Sequence, residues 1–236
     1  MPSKNKIKKE VFSIGLIILL AFVFRTVVAS PYQIPSESML PTLKIGDFLF
    51  VTKYSYAIKV PLTNKNLWQH SLPNRGDVVV FSEQGPGNKS IIKRVVGVPG
   101  DVLDIENGRI KINEQPLVYT TVSDRSIVSD HPELLEREVG QLFKETLDDK
   151  PHWMFKLDPS PGKGGHFVVP KGHVFVMGDN RDRSLDSRFW GFLPVQDIKG
   201  RARFLWLSLD KFNPAFTIGP VAIPSIRWNR IGQPIT

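Results

Sequence analysis

The sequence predicts a mostly β fold: an antiparallel β-sheet domain with a single N-terminal transmembrane helix and a small inserted lobe. Three observations predict it. Short apolar runs rich in Val, Ile and Phe recur between turn signals such as Arg75-Gly76, Pro99-Gly100 and Asn107-Gly108. Nineteen prolines and eighteen glycines punctuate a chain of 236 residues, which implies many turns. A single apolar run, residues 11–29, has the length of a membrane span. An apolar share of 41% and a charged share of 23% fit a globular chain rather than a disordered one. The absence of cysteine excludes disulfides, thiolate metal sites and a cysteine nucleophile. The net charge is +8, but beyond the N-terminus basic residues alternate with acidic ones, so no nucleic-acid partner is expected.

The elements follow in chain order. Lys4, Lys6, Lys8 and Lys9 precede residues 11–29, a stretch that spans about 28 Å as a helix. The positive flank belongs in the cytoplasm. It makes residues 1–10 a cytoplasmic tail, 11–29 a single-pass anchor in the inner membrane, and 30–236 an extracytoplasmic domain. Arg25 near the far end can snorkel to the headgroups. A second reading stays open, in which Val27-Val28-Ala29 ends a cleavable signal peptide. Both readings export the bulk of the chain.

Next come Ser36 and Ser38, bracketed by Pro31, Pro35 and Pro41. Each proline fixes its own φ and pushes the residue before it out of the helical region. The stretch reads either as a polar juxtamembrane linker or as the stiff support that a nucleophile needs. Residues 47–53, 77–82 and 91–98 read as strands, with 54–74 a surface loop between the first two. Residues 102–105 and 109–112 flank Asn107-Gly108, a hairpin signal, and 116–122 is one more strand. Across 123–165 the pattern dissolves, which marks an insertion or second lobe with a short helix around 132–147. Strands resume at 166–169, 173–177 and 201–208, the last with Phe204, Leu205 and Trp206 expected at the surface, and a Pro-rich tail begins at Asn213.

Three stretches carry chemistry. The serines are the first. Lys93 is the second. Period-2 alternation sets it on one face with Ile91 and Val95, where desolvation would favour the neutral amine that a general base requires. The alternative is an ordinary strand lysine whose ammonium reaches water. The third, residues 177–188, packs acids, arginines and serines into one turn after an apolar strand. That density suits paired charges around a site, with a solvated turn as the other reading. Three arginines among its acids argue against a metal. Five histidines leave a Ser-His-Asp arrangement open, although none has an obvious acidic partner in sequence.

With these stretches in view the chain resembles the bacterial type I signal peptidases, membrane-anchored Ser/Lys endopeptidases. Residues 34–43 are similar to that family's nucleophile motif, 75–81 to its buried strand, 92–101 to its base motif and 178–188 to its Gly-Asp-Asn-Arg box. Arg183 stands where the family often has asparagine. The resemblance implies Ser38 as nucleophile, Lys93 as general base, Ser36 in the oxyanion hole and Ser184 orienting the amine. It further implies Asp179 paired with Arg94 and Asp186 with Arg188 as scaffold. Ile34, Pro35, Met39, Leu43 and Ile92 are the expected walls for small substrate side chains. The implied substrates are the signal peptides of secretory preproteins, cleaved at the membrane lipid surface on the periplasmic side without metal or organic cofactor. The secretion machinery is a further candidate partner. Two rivals remain: a serine acyl enzyme of the penicillin-binding type, for which Ser90 and Lys93 supply a Ser-x-x-Lys pattern, and a non-enzymatic membrane-anchored β module.

Overall fold

The structure is a computed structural model and describes residues 4–23, 29–59, 66–82, 89–124, 126–128, 140–157 and 160–236. Helix α1 (Lys4–Val23) carries the basic cluster into the apolar run. It starts at Lys4 rather than Val11 and holds only part of the expected span, since residues 24–28, with Arg25, lie outside the described residues. Among the described residues no helix is long and apolar enough to cross a membrane, because lysines and Glu10 occupy the first part of α1.

Strand β1 (Ala29–Gln33) pairs antiparallel with β2 (Asp47–Thr52). A small hairpin of β3 (Ala57–Lys59) and β4 (Asn66–Gln69) lies where a loop is expected. Leu67 and Trp68 in it are exposed, so it presents no core-facing period to the sequence. β5 (Val78–Ser82) and β6 (Ser90–Gly97) pair antiparallel. β5 is apolar from Val78 to Phe81 because both its faces are covered: Val78 and Val80 join one core cluster, Val79 and Phe81 another. β7 (Val102–Glu106) and β8 (Arg109–Ile112) turn at Asn107 and Gly108, both with positive φ (49° and 72°), which the turn of a tight hairpin demands. β9 (Gln115–Pro116) extends this sheet.

Within the inserted lobe, β10 (Val118–Val122), β11 (Gly140–Leu147) and β12 (Lys150–Leu157) form an antiparallel three-stranded sheet. Residues 140–147 are therefore strand rather than the expected helix, and the rest of that segment, 132–139, lies outside the described residues. β13 (Gly165–Val168) returns to pair with β7. After β14 (His173–Met177) come the short helix α2 (Ser187–Trp190), β15 (Leu193–Pro194), β16 (Ile198–Ile218) and β17 (Val221–Ile226). The tail is thus a long hairpin. Its prolines pair as Pro214 with Pro224 at register shifts, where a missing N–H costs no ladder bond. Leu205 is core rather than surface, Phe204 stacks on Phe50 at 4.9 Å, and Trp206 stays exposed. The main sheet runs β1-β2-β16-β5-β6-β14-β15, with β17 beside β16. β6 is therefore interior, and a lysine on it starts from a dry position.

Candidate active site

The serine segment follows β1 and closes in two turns, Leu40 N–H to Glu37 O at 3.0 Å and Leu43 N–H to Met39 O at 2.9 Å. Met39, Leu40 and Leu43 are fully buried, so burial of apolar surface pulls the turns inward and holds Ser38 within the first of them. Lys93 lies opposite Val79 in the β5–β6 register, with Ile91 and Val95 along its own strand. The chain leaves β14 at Gly178, one position past the pairing of Met177 with Arg94, and so level with Lys93.

These pieces meet. Lys93 Nζ donates to Ser38 Oγ at 2.6 Å and to the Ile92 carbonyl at 3.1 Å. Lys93 is 3% exposed. Burial lowers its pKa to about 8, with Arg188 lowering it further, against the opposing pull of Asp186 and Asp179. Ser36, itself exposed, has its Oγ 3.4 Å from Ser38 Oγ. Ser184 is buried beside Gly178. Its hydroxyl has no hydrogen-bond partner among the described residues, so the expected bond to the amine is not made here. A Cβ on Gly178 would clash with Ser38 O and Ser184 Oγ, so only glycine lets the loop approach this closely.

The charged loop is held by pairs. Arg94 Nε and Nη2 bind Asp179 Oδ1 and Oδ2 at 2.8 and 2.7 Å, and Arg94 Nη1 donates to Gly76 O and Thr236 O. Burial alone would raise the Asp179 carboxyl, but Arg94 holds it below its usual range. Arg188 Nε and Nη2 bind Asp186 Oδ1 and Oδ2 at 2.8 and 2.9 Å, and Asp186 Oδ2 also accepts the Gly178 N–H. Ile34, Met39, Leu43 and Ile92 all lie in one core cluster beneath the serine segment, while Pro35 is exposed.

Several residues that hold the site were missed from sequence. Asn180 N–H donates to Ser38 O at 3.1 Å and its side-chain Nδ2 to Glu37 O at 3.2 Å, while Arg183 reaches Glu37 Oε2 at 3.3 Å. These two sit in the charged stretch, so its density was the available signal. Asp47 accepts from Ser208, the Lys44 N–H and Arg230, and Arg230 also donates to Thr42 O. Nothing local marks a tail arginine as a clamp on the serine segment. Two histidines do have acidic neighbours, contrary to expectation: His152 lies 3.0 Å from Glu145 and His166 2.6 Å from Asp104. Neither pair involves Ser38. Ser90 accepts instead from Lys199 at 2.9 Å, and Lys93 is turned to Ser38.

A family model described as signal peptidase, peptidase S26, matches residues 7–207, a span that contains the serines, Lys93 and the loop after β14. The chain is 35% identical to signal peptidase I of Buchnera aphidicola subsp. Acyrthosiphon pisum (strain APS), over 98% of this chain and 83% of that protein. It is 36% identical to signal peptidase I of Pseudomonas fluorescens, over 81% of this chain and 69% of that one. Signal peptidase I of Aquifex aeolicus (strain VF5) is 31% identical over 97% of this chain and 98% of its own. A buried amine against a serine hydroxyl, the family model and the three relatives agree: the chain belongs to the signal peptidase family, peptidase S26.

Proposed function

We propose that the chain is a membrane-anchored serine endopeptidase that removes signal peptides from exported preproteins through a Ser38–Lys93 dyad. One observation carries the dyad: the 2.6 Å contact between a buried amine and a serine hydroxyl. With a pKa of about 8, roughly a tenth of the amine is neutral at pH 7, against less than one part in a thousand for an ordinary lysine. Ser38 Oγ attacks the scissile carbonyl carbon as its proton passes to the neutral Lys93 amine. The ammonium returns that proton to the leaving amine, which departs and leaves an acyl ester on Ser38. Lys93, neutral again, takes a proton from water, the hydroxide adds to the ester, and Ser38 recovers its proton. The Ser36 hydroxyl and the Ser38 backbone N–H are assigned to the developing oxyanion. Ser184, buried with its hydroxyl unspent, is assigned to hold the amine once Ser38 turns to the substrate.

An extended signal peptide can add as a strand to a sheet edge, and β1, at the edge of the main sheet, leads directly into the serine segment. Ile34, Met39, Leu43 and Ile92 pack in one core cluster beneath the serine segment, and with exposed Pro35 they are assigned as the walls that face small substrate side chains. Residues 11–29 anchor the chain with the site on the extracytoplasmic face. Exposed Phe212, Phe216, Val221 and Trp228 supply apolar surface for lipid contact.

The test is cleavage of a purified preprotein by wild type, Ser38→Ala and Lys93→Ala across pH. Both variants should fold and lose at least about a thousandfold in kcat. Wild-type kcat/KM should rise about tenfold per pH unit up to roughly pH 8 and level off above it, as the free base accumulates. A Lys93→Ala enzyme that retains activity, or a flat profile below neutrality, overturns the dyad.

A further inference from the structure

We propose that the inserted sheet β10–β12 is the buttress that sets the position of Ser38, with Glu145 and Arg181 as its positioning residues. The inference rests on the dyad reading above. Arg181, on the loop after β14, sends both terminal nitrogens to one carboxylate of the lobe: Nη1 to Glu145 Oε1 at 2.9 Å and Nη2 to Oε2. Both side chains are at most 1% exposed. Burial would push the Glu145 carboxyl up, but Arg181 and His152 hold it well below the carboxylate range, so the clamp stays ionised at working pH. Burial and the nearby Arg94 lower the His152 pKa, which keeps that ring neutral beside it.

β12 runs along the same loop. Phe155 N–H donates to Asp179 O at 2.9 Å, Phe155 forms a parallel bridge with Asn180, and Leu157 N–H donates to Asp182 Oδ2 at 2.7 Å. On the far side, Arg188 Nη2 donates to the Arg181 carbonyl. The loop is therefore gripped along its length, and from it the Asn180 N–H reaches the Ser38 carbonyl at 3.1 Å. The lobe also touches the serine segment directly. Thr42 Oγ1 donates to Trp153 O at 3.3 Å, and Leu40 packs in one cluster with Phe155 and Val128. A solvated appendage would need neither a buried ion pair nor apolar contact with Leu40 beside the nucleophile. Attack geometry is sensitive enough that a shift of about 1 Å can cost about a hundredfold.

The test uses the full-length enzyme. Glu145→Asp keeps the charge but shortens the reach by one methylene, so Arg181 must shift or lose a contact. Glu145→Leu with Arg181→Leu removes the pair without stranding a buried charge, a swap that folds tolerate well. Single-turnover acylation, KM, the pH profile and thermal unfolding are measured, with rates taken per folded molecule. Glu145→Asp should lower kcat about tenfold and the double variant up to about a hundredfold. KM and the pH at which the rising limb levels off should stay near their wild-type values, because the substrate edge and the burial that chiefly lowers the Lys93 pKa are untouched. A purely structural role would lower the folded fraction and leave kcat per folded molecule unchanged. That result overturns the proposal, and Glu145→Asp alone decides it if the double variant does not fold. Ser38→Ala runs alongside. If it cleaves, the dyad itself is wrong. If it is dead while the Glu145 variants match wild type, only the buttress fails.

Discussion

Lys93 is stored at a cost. Its pKa falls from 10.5 to about 8 chiefly because burial disfavours the ammonium, a shift worth about 3 kcal/mol. An unfolded chain keeps the proton up to the ordinary lysine value, whereas the folded chain releases it near pH 8. Below pH 8 the folded state carries the full penalty of a buried ammonium. Between pH 8 and about 10.5 folding releases a proton, so stability rises with pH, and above that window the penalty is gone. Lys93→Met, of similar shape and uncharged, should therefore be inactive yet more stable than wild type by about 1–3 kcal/mol at pH 7. The gain should vanish near pH 10.5, as read by denaturant unfolding at the two pH values. A variant no more stable than wild type at pH 7 would mean the amine is not strained. Strand alternation placed this lysine among Ile91 and Val95, but its lowered pKa reflects burial in the folded sheet, where Val79 lies opposite it, and the charges of Asp186, Asp179 and Arg188 from another stretch.

At the scale of elements, the loop after β14 and the serine segment approach each other through Gly178. The Cβ of alanine there would meet Ser38 O and Ser184 Oγ at contact distances that cannot be held, and the first of these is backbone. Gly178→Ala should thus cost about 1–3 kcal/mol of stability and at least about tenfold in kcat, measured by thermal unfolding and single-turnover cleavage. A variant with wild-type kcat would show that the loop does not set the serine. Elements with a strong local signal were legible: β7 and β8 from Asn107-Gly108, β5 and β6 from their apolar runs. The β11–β12 hairpin was not, because Asp148 and Asp149 make its positive-φ turn without the glycine that would have announced it. Its strands also mix Lys144, Glu145 and His152 into the pattern, and two of these are buried for a partner rather than for apolar packing.

Across the whole molecule, the site lies on one chain with two apolar features, the run after the basic N-terminus and the β16–β17 hairpin. Phe212→Asp with Phe216→Asp, both exposed, should slow cleavage of a preprotein embedded in phospholipid vesicles several-fold while leaving a soluble peptide substrate unaffected. Equal loss on both substrates would assign the hairpin to folding instead. The sequence by itself determined the β-rich class, most strand positions, the proline-braced serines and the charged stretch, because these depend on periodicity and turn chemistry within a few residues. Only the tertiary structure decided that Lys93 faces Ser38 at 2.6 Å, that Arg230 from the tail clamps the serine segment, and that the inserted sheet grips the loop. Distance, burial and pKa at a point are set by whatever the rest of the chain brings there, and no local pattern records that.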